Sequence, residues 1–397
     1  MRLGFDSGFR SCQSRPIVGG AVSGVGQTAE ASQRIMLGPV VHVEIIGALC
    51  GMDNGTRRRD GDMTDSAVRR SPNMHDVAAV AGVSHQTVSR VLNGFDSIRP
   101  ETRDRVLDAI RQLGYRRNVA ARALATSRSH AIGVLAPATS DYGPTSTVQA
   151  IEVAARAVGY YPLVTTAATD RRAIFASLDF LLDQSVEALV VIAPHIRALE
   201  AVRELELTVP IVTLQSTDLG SGTAISIDQL EGAQLAMAHL FELGHRRIQH
   251  VSGPLEYFEA AARRHGYEQS LAEAGLEPLP LFFGDWTSES GYRAAATIHP
   301  DATAVFCAND QMALGLVHGL ADRGIRVPDD ISVIGFDNLP EAEYFMPSLT
   351  TVHQDFARIG RLAVEVLHAQ IGGGEPALVP AVDPWLVVRD STAPPRR

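Results

Sequence analysis

Asn73–Asn93 reads NMHDVAAVAGVSHQTVSRVLN, and the fold of the chain is worked out from this stretch. Asn73 is placed to cap a first helix by accepting from its exposed backbone N–H groups. Val77, Val80 and Ala81 follow at i, i+3 and i+4 and are expected on one apolar face. Gly82 permits the positive φ of a sharp turn. Ser84 can cap a second helix, with Val88, Val91 and Leu92 turned inward and His85, Gln86, Ser89 and Arg90 turned outward. Gln86 and Arg90 are four apart and stand one above the other. Gln can pair bidentately with adenine and Arg with guanine. Capping and turn chemistry together favour a helix-turn-helix over two amphipathic helices of an ordinary core. Its candidate DNA contacts are Ser84, His85, Gln86, Thr87, Ser89, Arg90 and Asn93.

Working outward, Pro100–Leu113 (PETRDRVLDAIRQL) is predicted as a third helix with Val106, Ile110 and Leu113 on one side. Pro100 suits its first turn, whereas Arg99 is a poor residue for the cap. Gly114-Tyr115 ends the helix, and an Ala-rich stretch follows from Arg116 to Arg128. A helix this short is marginal alone in water, so it should order only against a partner.

The run from Met74 to about Thr392 resembles the lactose repressor/galactose repressor family of bacterial transcription regulators. The resemblance rests on DVAAVAGVSHQTVSRVLNG at Asp76–Gly94, on the Gly114–Ala125 segment, on CANDQMALG at Cys307–Gly315 and on SVIGFDN at Ser332–Asn338, in that order. It implies a repressor that binds a near-palindromic operator as a homodimer and a small-molecule effector that changes its DNA affinity. It also implies paired hinge helices in the minor groove, with Leu124 as an apolar wedge and Asn118, Ala121 and Arg122 close by. Such wedges kink DNA at a cost of a few kcal/mol in unstacking, offset by added contact.

Charge distribution agrees with a DNA-reading head. The chain has 397 residues and a net charge of −10. Met63–Arg128 holds eleven Arg against six acids, a local +5, and residues 1–62 carry +1, so the remainder carries −16. A basic head on an acidic body concentrates phosphate attraction at one end. Every basic residue is Arg, which codon usage in a GC-rich genome explains best. The three Cys (Cys12, Cys50 and Cys307) form neither a disulfide framework nor a metal cluster, and Cys307 reads as a buried strand residue. A reducing, cytoplasmic, nucleoid-associated setting fits.

Residues 1–62 show no sustained helical or strand period. The apolar run Met36–Cys50 suggests a signal peptide or lipoprotein site, but His42 and Glu44 interrupt it and it is too short to span a bilayer. The expectation is a natural start at Met63, with the upstream residues a gene-start error or a disordered extension. The domain plan is then 1–62 as that extension, 63–115 as the helix-turn-helix domain, 116–128 as hinge and linker, and 129–397 as a ligand-binding and dimerisation domain.

From Ser129 short apolar runs alternate with amphipathic helices. The strands are AIGVLAP, YPLVTT, ALVVIAP, IVTL, AISI, IQHVSG, AVFCA and SVIGFD; the helices lie near 147–158, 171–184, 228–243, 257–274 and 311–323. This alternation predicts an α/β fold of doubly wound parallel sheets. The stretch is long for one sheet, so two lobes are expected. The resemblance implies periplasmic-binding-protein-like lobes with ligand between them and crossings near Asp228 and Val352–Asp355.

In open α/β sheets ligands sit beyond the carboxyl ends of strands. Gln215, Ser252-Gly253, Asn309-Asp310 and Asp337-Asn338 occupy such ends, and Arg263, Trp286 and Phe356 join them as candidates. Amide, carboxylate and guanidinium groups pair with neighbouring hydroxyls, while Trp and Phe offer a flat wall to the C–H face of a sugar. By resemblance, Arg263, Trp286, Asn309, Asp337 and Phe356 match sugar-contacting positions, and Gln215 stands where some members carry Asp. Core packing for Phe356, a helix cap for Asp337, a surface ion pair for Arg263 and linker packing for Leu124 are the structural alternatives. No nucleophile elbow, P-loop or HExxH motif occurs, so an enzyme is not expected. His239, His245 and His250 lie close in sequence, but Gly244–Arg247 reads as a helix C-terminal turn rather than a metal site. No metal or cofactor is expected. The effector expected first is a small sugar, with a β-galactoside as first candidate; a purine or nucleoside co-repressor is the alternative, and a sugar-binding protein without a DNA role is the more distant one. No leucine heptad follows Val388, so a dimer is expected rather than a tetramer.

Overall fold

The computed structural model describes residues 72–95, 97–116, 123, 128–168, 170–193, 208–214, 223–375 and 379–396. The expectations for residues 1–62 and for Asn118, Ala121, Arg122, Leu124 and Gln215 lie outside the described residues.

Three helices form the first element group: α1 (Met74–Ala81), α2 (His85–Leu92) and α3 (Pro100–Leu113). The Asn73 side chain accepts from the backbone of His75 and Asp76, and Asp76 returns a bond to the Asn73 N–H, which completes a capping box. Gly82 takes φ 66° and ends α1, and Ser84 caps α2 through the Thr87 N–H. Val77, Ala78, Ala81, Val88, Val91, Val106 and Ala109 close a small shared core. Val80 is 48% exposed, which corrects its expected place on the inward face. The buried face of α1 is i, i+1 and i+4 about Val77; at 100° per residue Val80 lies on the far side of Val77 from Ala78 and Ala81. Arg99 provides no side-chain cap to α3.

The first lobe has strands β1 (Ala131–Pro137), β2 (Tyr161–Ala167), β3 (Ala188–Ile192), β4 (Ile211–Leu214) and β5 (Thr223–Ile225), with α4 (Tyr142–Ala157) and α5 (Arg171–Asp183). All pairings are parallel, in the order β2-β1-β3-β4-β5. Period-two alternation sorts the side chains. Ile132, Val134, Ala188 and Val190 enter one core, and Leu135, Leu189 and Val191 enter the opposite one. Both faces are covered, so these strands read as continuous apolar runs.

The second lobe has α6 (Gln229–Glu242), β6 (Ile248–Ser252), α7 (Phe258–Glu273), β7 (Phe282–Phe283), α8 (Ser288–Ala294), β8 (Ala304–Cys307), α9 (Asp310–Asp322), β9 (Ser332–Asp337), β10 (Thr350–His353) and β11 (Trp385–Val387), while α10 (Phe356–Ile371), between the last two strands in the chain, belongs to the first lobe. The sheet order is β11-β10-β9-β8-β6-β7, with only the β10–β11 pairing antiparallel. Setting β11 aside, β7-β6-β8-β9-β10 repeats the order of the first lobe. In each lobe the winding direction therefore switches beside the first strand, where ligand sites form.

The chain passes between lobes three times. It leaves the first lobe at Ile227–Gln229 and returns at His353–Phe356, where α10 packs Phe356, Ile359, Ala363, Val364 and Leu367 into the first lobe's core. It leaves again after Val382 to form β11. The third passage was not read from the sequence. It is tied to the first by the bonds Asp228 N–H to Val382 O (3.0 Å) and Val382 N–H to Ser226 O (2.8 Å). No helix among the described residues is long and apolar enough to cross a membrane.

Candidate functional site: a cleft between two switch points

A cleft of about 430 Å³, open at its mouth, is lined by Asp141, Tyr142, Gly143 and Pro144 from the first lobe, by Gln354 and Phe356 at a crossing, and by residues of the second lobe. Asp141 and Tyr142 follow β1, and Asn309 follows β8, at the two switch points. Arg263, Trp286, Asn309, Asp337 and Phe356 come together here, with Tyr257 and Glu259 from the start of α7.

Arg263 is the centre of the floor. It is 4% exposed and its three guanidinium nitrogens each meet a protein acceptor. Nε donates to Gln229 Oε1 at 2.9 Å, Nη1 donates to the Ala308 carbonyl, and Nη2 lies 3.7 Å from Asp337 Oδ1. Its plane covers the Phe336 ring at 3.9 Å. A solvent-exposed ion pair is therefore excluded for Arg263, whereas neighbouring Arg264 reaches Glu268 at 3.8 Å. Burial lowers the Arg263 pKa, against the Asp337, Glu259 and Asp310 charges.

Asp337 ends β9 with φ 112°, a backbone region that side chains other than Gly rarely adopt. It is no helix cap. Gln354 Nε2 donates to its Oδ1 at 2.5 Å, and Gln229 Nε2 donates to Gln354 Oε1 at 2.7 Å. Arg263, Gln229, Gln354 and Asp337 thus close a ring of polar contacts. Two of its members, Gln229 and Gln354, sit at the first and second crossings. Burial pushes the Asp337 carboxyl up to about 6, with Arg263 opposing. Behind it, Asp310 accepts from Thr351 Oγ1 at 2.6 Å and from Leu339 N at 2.8 Å. Burial, then the Asp337 charge, push Asp310 up to about 8. Asn338 faces away from the cleft set, bonded to His353 and Arg389.

Asn309 caps α9 through Met312 N at 2.9 Å and donates to the Trp286 carbonyl at 3.0 Å and to Gln311 Oε1 at 2.8 Å. Both amide hydrogens are used, which leaves its oxygen one acceptor position for a ligand. It also holds the backbone of Trp286, itself at φ 71°. The Trp286 indole lies on Gly253, where any Cβ would overlap the ring. Tyr257 meets Trp286 edge-on at 5.5 Å, and Tyr142 meets Phe356 edge-on at 5.7 Å. Phe356 belongs both to the first lobe's core and to the cleft lining.

Glu259, Tyr257, Gln354, Asp141 and Tyr142 were missed in the sequence. Asp141 and Tyr142 obey the strand-end rule already used and were within reach of it. The three His lie apart in role. His239 bonds Thr392, His245 bonds Thr303 and the Ala393 carbonyl, and His250 bonds the Phe306 carbonyl while stacked between Tyr267 and Phe306.

In the helix-turn-helix, His85, Gln86, Arg90 and Asn93 are exposed, and Ser89 and Thr87 are half-buried. Ser84 Oγ is spent on the Thr87 backbone and hydroxyl.

Residues 73–118 match the bacterial regulatory proteins of the lacI family, and residues 237–392 match the periplasmic binding protein-like domain. The catabolite control protein A of Priestia megaterium is 34% identical over 302 residues, covering 74% of this chain and 91% of that protein. The chain belongs to the lacI family of bacterial regulators. The transcriptional repressor PurR of Erwinia tasmaniensis is 37% identical over 329 residues, covering 80% of this chain and 96% of that protein. Among solved structures, the lac repressor dimer bound to operator and the anti-inducer ONPF superposes with a TM-score of 0.75 at 32% identity, over 82% of this chain and 100% of that one. The lacI-family reading of the sequence and its α/β fold class with a helix-turn-helix are both borne out.

Proposed function

We propose that this lacI-family regulator is a cytoplasmic, nucleoid-associated repressor. It binds a near-palindromic operator as a homodimer, with α2 in the major groove, and a small sugar in the cleft changes its DNA affinity. Ser84, His85, Gln86, Thr87, Ser89, Arg90 and Asn93 read or position on DNA; Asn118, Ala121, Arg122 and Leu124 serve the minor groove. Gln215, Arg263, Trp286, Asn309, Asp337 and Phe356 serve the ligand. The observation that carries the effector reading is the cleft itself, where an indole and a phenyl ring stand beside amide, carboxylate and guanidinium groups at both switch points. That mixture suits the apolar face and hydroxyl rim of a sugar, with a β-galactoside as first candidate.

Ligand favours one closure angle between the lobes, which sets the spacing of the two hinges across the dimer and so the affinity for operator. The coupling equals the difference in ligand affinity between the two states. A thermal-shift screen of sugars and nucleosides, repeated as an operator-release assay, tests the reading. A sugar that stabilises the protein and releases operator supports it, and a protein with no salt-sensitive preference for any twofold-symmetric duplex refutes it. Leu124→Ala should weaken specific operator binding at fixed salt and leave sugar affinity nearly intact.

A second reading has its own support. The aromatic pairs Tyr257–Trp286 and Tyr142–Phe356 could clasp a flat base, so a purine or nucleoside co-repressor is the alternative effector. In the screen it would stabilise the protein and tighten operator binding.

A further inference from the structure

Glu259 stands in the first turn of α7, lines the cleft and is 8% exposed. One of its carboxylate oxygens, Oε2, is buried with no hydrogen-bond partner. A buried acceptor left unmade costs free energy, and Glu259 Oε2 is the one buried polar side-chain atom of the cleft lining, among the described residues, that has no hydrogen-bond partner. The rest of the lining sharpens its meaning. Asp141, Glu259 and Asp337 are acids, and Arg263 is the cation that faces them. Arg263 already meets Gln229, Ala308 and Asp337. Asp141 precedes α4 without capping it by its side chain. The cleft is therefore net negative, holds an orphaned acceptor and is walled by Tyr142, Tyr257, Trp286 and Phe356, whose faces attract cations.

We propose that Glu259 is a ligand-contacting specificity residue, and that the cleft selects an amino-substituted sugar whose ammonium group donates to Glu259 Oε2. This rests on the reading of the cleft as a sugar site and names the class of sugar. A neutral hydroxyl would give Oε2 an ordinary hydrogen bond, but only an ammonium also offsets the excess of acids. A sugar phosphate would add charge of the wrong sign. Burial raises the Glu259 carboxyl to about 7, which fits a group that awaits its counter-charge.

The test is isothermal titration calorimetry on the full chain with galactose and glucose, their 2-amino and 6-amino derivatives and their 6-phosphates. At least one amino sugar should bind ten or more times tighter than its neutral parent, and its phosphate should bind more weakly than the parent. Glu259→Gln should bring that amino sugar to within about threefold of the parent, with a far-ultraviolet spectrum unchanged from wild type. Asp141→Asn, at a half-buried position, should trim the preference by a smaller factor and serves if Glu259→Gln fails to fold. Amino sugars that bind no tighter than their parents overturn the proposal, as does a preference that survives both substitutions. Neutral sugars that bind wild type while no amino sugar binds tighter than its parent overturn this inference and leave the sugar reading intact. Binding of nucleosides with no sugar binding at all overturns both.

Discussion

At Gly253 the end of β6 lies so close to the Trp286 indole that the residue there has no room for a side chain. Gly253→Ala should therefore tilt the indole off its seat. Overpacking of this kind costs about 1–3 kcal/mol of stability, and the displaced ring should lower affinity for a cleft ligand at least tenfold. The chain has two Trp, so a Trp385→Phe background makes Trp286 emission a direct report of ligand entry. Unchanged affinity and unchanged emission would show that the indole does not shape the site. Residues of this kind differ in how far the sequence betrays them. Asn309 and Asp337 end apolar runs, and Trp286 is conspicuous by rarity, so they were legible. Glu259 and Gln354 were not. The one lies in the first turn of a helix, where acids are common for dipole reasons, and the other lies in a crossing whose strand carries the polar sequence TTVH.

Element by element, α2 shows how a local rule becomes a reading device. Ser84 fixes its start, Val88 and Val91 fix its inward face, and Gln86 and Arg90 are left exposed on the outward one. Gln86→Ala should relax preference at one operator position by about 1–3 kcal/mol, the worth of one bidentate pair. Competition binding across single-base operator variants measures this. A uniform loss over all sequences would instead mark Gln86 as a phosphate contact. The parallel strands were as legible as α2, because burial on both faces removes the polar positions that would blur an apolar run. Other elements hid for identifiable reasons. The Gly143-Pro144 pair reads as a turn, yet Pro is compatible with a first helical turn, and α4 begins at Tyr142 rather than near Thr147. β7 is two residues long and β11 three, too short for any period. The long helix α10 follows directly on β10, so its apolar positions from Phe356 onward are not set apart from the strand by a Gly or Pro break.

Across the whole molecule, the groups that shape the cleft also tie the crossings together and carry buried charge. The Gln229–Gln354 bond joins two crossings directly, so under the proposed mechanism a ligand that competes for Gln354 or Asp337 would pull on the segments that link the lobes. Gln354→Ala should reduce the effector-driven change in operator affinity at least threefold while leaving effector-free operator binding close to wild type. An unaltered ratio would place the coupling elsewhere. The buried acids add a cost that depends on pH. Glu259, Asp337 and Asp310 are raised by burial to about 7, about 6 and about 8, whereas in the unfolded chain such groups titrate near 4. Between roughly pH 4 and pH 8 these three carboxyls consequently hold more protons in the folded chain than in the unfolded one, and their contribution to stability falls as pH rises through that window. Glu259 has no partner for Oε2, so its share is the one that substitution can remove without breaking a side-chain pair. Glu259→Gln should leave the ligand-free thermal midpoint near wild type at pH 4.5 and raise it progressively toward pH 8, by an amount equivalent to about 2–3 kcal/mol. Scanning calorimetry in matched-ionic-strength buffers reads the difference. A gap between the two proteins that stays constant from pH 4.5 to 8 would mean that Glu259 ionises as freely in the cleft as in water, and the stored cost that a ligand could relieve would not exist.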